Sequence, residues 1–220
     1  AIATSTLIDY FEAVAVPGLK LASADRHRGV IDDARMEDIL DGTQILLDDV
    51  DVEPDKSAAE DNETIAAETE TEETPKNVVP VVATDEIRRD WQGLEAPVLC
   101  LGVHTPLDVA AAGMLALAIN QHGIGACASE PMGLADLGRV DMSDVRLVWL
   151  SSIEPSQSHA QIRFIVRRLR RLAPDVAFCG LFWEFPDAAK ADGLGLSSVV
   201  NSVEAAVRST GAPVHEPSAA

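Results

Sequence analysis

Aromatic side chains are scarce, at 4% of residues, so any core must be mainly aliphatic. Basic residues are also few: 17 Lys and Arg stand against 36 Asp and Glu, a formal charge of -19. A chain of that charge repels phosphates, which excludes nonspecific nucleic-acid binding by the protein as a whole. Only three cysteines occur, Cys100, Cys127 and Cys179, without CxxC or Cys/His ligand spacing. A thiol-based metal or redox centre is therefore not expected. Each cysteine falls in or beside an apolar run, so all three are expected as buried, reduced thiols of a cytosolic protein. The longest apolar run, Val109 to Ile119, is shorter than the ~20 residues of a membrane helix, and no basic leader opens the chain. Ala1, in place of an initiator methionine, leads to the expectation of a piece of a longer protein. GxSxG, Walker, GxGxxG and HExxH motifs are absent too.

What is present falls into three stretches. Thr4 to Ala24 carries Leu7, Ile8, Phe11, Val14, Ala15, Leu19 and Ala22 at the spacing of a one-sided helix. Pro17 is expected to kink or divide it. Asp32 or Asp33 can cap a second helix bearing Met36, Ile39, Leu40, Leu46 and Leu47. The pair reads as a helical hairpin over residues 1–47 whose apolar face must pack on the later domain, on another copy, or on further sequence. Residues 48–76 carry 12 acids against 2 bases and almost no large apolar side chains. Burial there cannot offset ordering entropy, so 48–80 is expected to be a disordered acidic linker.

From Pro97 onward, short apolar runs alternate with helical stretches, the pattern of parallel βα units. Strands are expected at Val98–Val103, Gly125–Ser129, Arg146–Ser151, Val176–Leu181 and Leu196–Val200. Helices are expected at Pro106–His122, Ser156–Leu172 and Ser202–Ser209, with a short element between Met132 and Val140. This is a five-stranded, doubly wound α/β domain of flavodoxin-like type over residues 81–210, followed by a disordered tail at 211–220.

Open parallel sheets bind ligands outside the carboxyl ends of their strands. That rule brings forward His104, Thr105 and Asp108 after the first strand and Ser151, Ser152 and Glu154 after the third. Gly180, Phe182, Trp183 and Glu184 follow from the fourth, and these loops are expected to converge. Ser151, Ser152, His104 and Asp108 also contain the residue types of a hydrolase triad. Helix 156–172 carries Arg163, Arg167, Arg168, Arg170 and Arg171 opposite an apolar side. These arginines can form a solvated face, hold the acidic linker, or touch anionic lipid headgroups.

Two family resemblances enter on these residues. His104, then Ser151-Ser152-Ile153, then Cys179-Gly180 resemble in order and spacing the DxHxxG, SxL and GG elements of cobalamin-binding modules. There the histidine coordinates cobalt, so the resemblance implies cobalamin as an alternative cofactor at a His104 pocket. Gly102 and Leu107 depart from the pattern, taking away the aspartate that orients the histidine and a glycine that admits the cofactor's tail. The runs YFEAVAVPGLKLASADRHRGVID, PVLCLGVHTPLDVAAAGMLALAINQHGIGA, WLSSIEP and IRFIVRRLRRLAPDV resemble, over nearly the whole chain, the soluble C-terminal region of bacterial permeases of the autoinducer-2 exporter family. That resemblance implies a noncatalytic regulatory or interaction domain on the cytoplasmic side of the inner membrane, without a cofactor. Its partners would be the membrane-embedded part of the same protein, a second copy, or inner-leaflet lipid, and no nucleic acid.

Overall fold

The computed structural model describes residues 7–51, 91, 93–129, 136–183 and 193–211. The expected acidic linker, after its first four residues, and nearly all of the expected tail lie outside these residues. Three N-terminal helices come first: α1 (Leu7–Tyr10), α2 (Val16–His27) and α3 (Asp33–Asp51). The sheet follows as β1 (Val98–Gly102), β2 (Ala126–Ala128), β3 (Leu147–Ser152), β4 (Ala177–Phe182) and β5 (Ser198–Val200). Its helices are α4 (Pro106–Gln121), α5 (Pro155–Leu172) and α6 (Val203–Thr210), and a 3-10 turn, Asp136–Arg139, stands between β2 and β3.

All strand pairs are parallel and the order is β2-β1-β3-β4-β5. This is the flavodoxin-like arrangement, whose strand order reverses between β1 and β3. Alternation along each strand splits the core in two. Val98, Cys100, Leu147, Trp149, Cys179 and Leu181 face α4 and α6. Leu99, Leu101, Val148, Leu150, Phe178 and Phe182 face α5 and the 3-10 turn. Helices thus cover both faces, as the βα pattern predicts. Trp149 Nε1 donates to Thr210 Oγ1 at 2.9 Å, so the largest buried side chain is satisfied by the last helix.

The N-terminal helices form a further layer on α4. Phe11, Val16, Leu19, Ala22, Met36 and Leu47 join the same buried cluster as Leu107, Met114, Leu115 and Leu117. Helix α4 is consequently covered by the sheet on one side and by α2 and α3 on the other. That explains its near-continuous apolar run, since a helix that is hydrophobic all round is a buried one. No helix among the described residues is long and apolar enough to cross a membrane.

Local chemistry sets the helix ends. Asp32 Oδ1 accepts the Arg35 amide at 2.9 Å and caps α3, which continues to Asp51 beyond the expected end at residue 47. Gly123, at φ 75°, turns the chain after α4. Pro17 lacks an amide hydrogen, and the five residues before α2, Phe11–Ala15, are wound as a π-turn in which Val16 N–H donates to Phe11 O. The extra residue of that turn shifts the buried stripe. Val14, expected on it, is 55% exposed, and Val16 is buried in its place.

Candidate functional site

The loops after β1 and β3 meet where strand order reverses, and Asp108 joins them. Thr105 is the N-cap of α4; its hydroxyl accepts the Asp108 amide at 3.1 Å, and Pro106 opens the first turn. Asp108 Oδ2 in return accepts the amides of Thr105 at 2.9 Å and His104 at 3.1 Å. Its Oδ1 accepts the Ile153 amide at 2.7 Å, from the loop that leads into α5. Burial pushes the Asp108 carboxyl above the ordinary carboxylate range, while these amides and the Thr105 hydroxyl pull it down. With both oxygens bonded to backbone, Asp108 builds the site's floor.

Close packing under this floor depends on glycine. A Cβ at Gly102 would overlap the Val109 amide nitrogen and lie 2.6 Å from Val109 Cα. Only a residue without a side chain lets the first turn of α4 close on the end of β1. Gln161 of α5 adds a brace by donating its Nε2 to Val103 O at 2.6 Å.

Above the floor is a cavity of about 500 Å³ lined by Ser23, Arg26 and His27 of α2, His104 to Asp108, and Ile153, Glu154 and Ser158. Its other wall is therefore the N-terminal layer. Ser23 Oγ donates to Glu154 Oε1 at 2.5 Å, and His27 Nδ1 lies 3.3 Å from the same oxygen. Glu154 makes no side-chain cap to α5, of which it is the N-cap residue, and reaches across to α2 instead.

Of the residues expected at the site, His104, Thr105, Asp108 and Glu154 line the cavity. His104 is exposed, and neither ring nitrogen has a hydrogen-bond partner among the described residues. Ser151 and Ser152 do not line it. β3 runs on to Ser152, so both serines are fully buried within the strand, and neither hydroxyl has a hydrogen-bond partner among the described residues. Gly180 sits in the interior of β4, where a Cβ would press on the Phe182 ring at 2.7 Å and on Leu196 at 3.0 Å. Phe182 is buried in the α5-side core, Trp183 packs against the α4-side core, and Glu184 lies outside the described residues. Among the described residues, convergence is thus limited to the loops after β1 and β3.

Ser23, Arg26 and His27 were not expected at the site because their partners lie far away in sequence. A signal was nonetheless present: the buried stripe Val16, Leu19, Ala22 continues in register as Ser23, Arg26 and His27, so an inward face becomes polar in the last two turns.

The cysteines require one correction. Cys100 and Cys179 are buried and burial pushes both thiols up, Cys100 strongly, but Cys127 is exposed because β2 is a three-residue edge strand. Among the described residues, no group of three or more His, Cys, Asp or Glu could hold a metal ion. The expected arginines stand on α5, away from the cavity. All five arginines are exposed, and Arg170 in addition donates to Gly195 O at 2.7 Å and lies 5.5 Å over the Phe178 ring. No protein-family model matches the chain, and no curated protein matches it.

Proposed function

We propose that this chain is a noncatalytic regulatory domain of a bacterial membrane permease, in which the N-terminal helices respond to the state of the cavity at the sheet's reversal point. One observation carries the reading: Ser23 and His27 of α2 reach Glu154 at the mouth of the β3–α5 loop. One wall of the cavity is the sheet domain and the other is the N-terminal layer, which shares an apolar core with α4 but meets the β3–α5 loop at the cavity through the polar contacts to Glu154. A ligand that displaces the Glu154 contacts to Ser23 and His27 changes how the end of α2 is held, which is the property a regulatory module needs. In the permeases that the chain resembles, the membrane-embedded part precedes this region, so the helical layer would be the connection.

The geometry favours this over the two enzyme-like or cofactor-binding readings. For a hydrolase, the serine hydroxyls are enclosed in β3, His104 points from an exposed loop, and both oxygens of Asp108 are bonded to backbone amides. For cobalamin, Gly180 is backed by Phe182 and Leu196, Gly102 is closed by α4, and His104 has no carboxylate to orient its ring among the described residues. A small ligand of the cavity's size is compatible with the regulatory reading.

The test has two steps. The reading frame ahead of Ala1 should encode apolar membrane spans, and Glu154→Ala in the resulting permease should change transport flux at unchanged protein level in the membrane. A frame without spans contradicts the attachment, and unchanged flux contradicts the regulatory role.

A further inference from the structure

Helix α5 covers the side of the sheet opposite the N-terminal layer and contains no Asp or Glu over its 18 residues. Its inner side, Ile162, Ile165, Val166 and Leu169, is buried against the sheet. Its outer side is two parallel rows. Arg163, Arg167 and Arg171 form one, and Phe164, Arg168 and Leu172 form the other, with steps of about 6 Å along each row. Phe164 and Leu172 are 46% and 48% exposed, large apolar groups set into a cationic surface. The four arginines of these rows form no ion pair among the described residues, although acids outnumber bases two to one in the chain. A cationic surface with no ion pair among the described residues calls for a partner.

We propose that this face of α5 docks on an anionic lipid surface. Guanidinium groups attract anionic headgroups and hydrogen-bond their phosphates, while Phe164 and Leu172 enter the boundary between headgroups and acyl chains. This combination decides between the anionic partners. An acidic peptide as poor in large apolar side chains as the chain's own residues 48–76 would pair the arginines but leave most of Phe164 and Leu172 in water. A lipid interface takes both. The proposal goes beyond the regulatory reading and stands without it, because it rests on α5 alone.

Sedimentation of the 220-residue protein with vesicles of phosphatidylcholine, alone or mixed with phosphatidylglycerol, tests it. The protein is expected to partition only onto the phosphatidylglycerol vesicles and to be released at about 0.5 M salt. Replacing Arg163, Arg167 and Arg171 together with Gln should lower the partition coefficient about 100-fold, some five-fold per arginine. Phe164→Ser should weaken binding while leaving its salt dependence in place. These side chains are exposed, so an unchanged thermal unfolding profile will show that the variants are folded. Wild-type protein left in the supernatant at low salt, or a triple variant that binds as wild type does, overturns the proposal. It is equally overturned if wild type stays unbound while a form with the glutamates of residues 53–73 changed to Gln binds, since the acidic segment would then occupy the face.

Discussion

Asp108 Oδ1 accepts the backbone amide of Ile153 at 2.7 Å, and this hydrogen bond joins two loops 45 residues apart at the reversal point of the sheet. The other oxygen of the same carboxylate holds the amides of His104 and Thr105. Asp108→Asn keeps the shape but turns an NH2 group toward one or more of these donors. Stability should fall by about 2–3 kcal/mol, the effect of a lost charged hydrogen bond and a buried unpaired amide. The urea midpoint of the variant checks this. A shift equivalent to less than about 0.5 kcal/mol, the size of an ordinary surface change, would mean that the bridge is dispensable.

Two glycines make opposite predictions. Gly102→Ala places a methyl group into the backbone of Val109 and should destabilise by about 3 kcal/mol or more, beyond ordinary overpacking. Gly42, within α3, has no atom beyond its own helix backbone within 4 Å of the position a methyl group would take, so Gly42→Ala should stabilise by about 0.5–1 kcal/mol. Thermal denaturation of the two variants should move in opposite directions.

The sheet was legible because five short apolar runs are bounded by Gly, Pro and polar residues, and the strands begin and end within about two residues of those runs. Helix α4 was legible as a helix, but its all-round apolarity marked a second covering layer as well. The π-turn before Pro17 was not legible in detail: a proline announces a break, while the choice between a kink and an inserted residue depends on packing, which buried Val16 and exposed Val14. At the site, the Thr105-Pro106-Leu107-Asp108 run carries the signature of a capping box, and capping is the role that Asp108 fills. The contact between Ser23 and Glu154 spans 131 residues. No local pattern encodes such a pairing; only the polar continuation of the α2 stripe hints at it.

Thiol chemistry should separate the three cysteines. Cys127 should react with a maleimide in the native protein, whereas Cys100 and Cys179 should react only after denaturation. Partial burial raises the Cys127 thiol above its ordinary range, so its thiolate fraction at neutral pH is smaller than that of a free cysteine. Its labelling should therefore be slower than that of a free cysteine and should accelerate as pH rises. Mass spectrometry of labelled peptides reads both effects.

The contact between α2 and Glu154 can be measured in solution by hydrogen–deuterium exchange over Val16–His27 in the wild type and in Glu154→Ala. Glu154 does not cap α5, so protection of Ile162–Leu172 serves as the control. Exchange over α2 should accelerate by about ten-fold or more, because hydrogen bonds to a charged group contribute roughly 1.5–3 kcal/mol, while α5 stays unchanged. Equal exchange of α2 in the two proteins would contradict the claim that this helix is held at the cavity through Glu154.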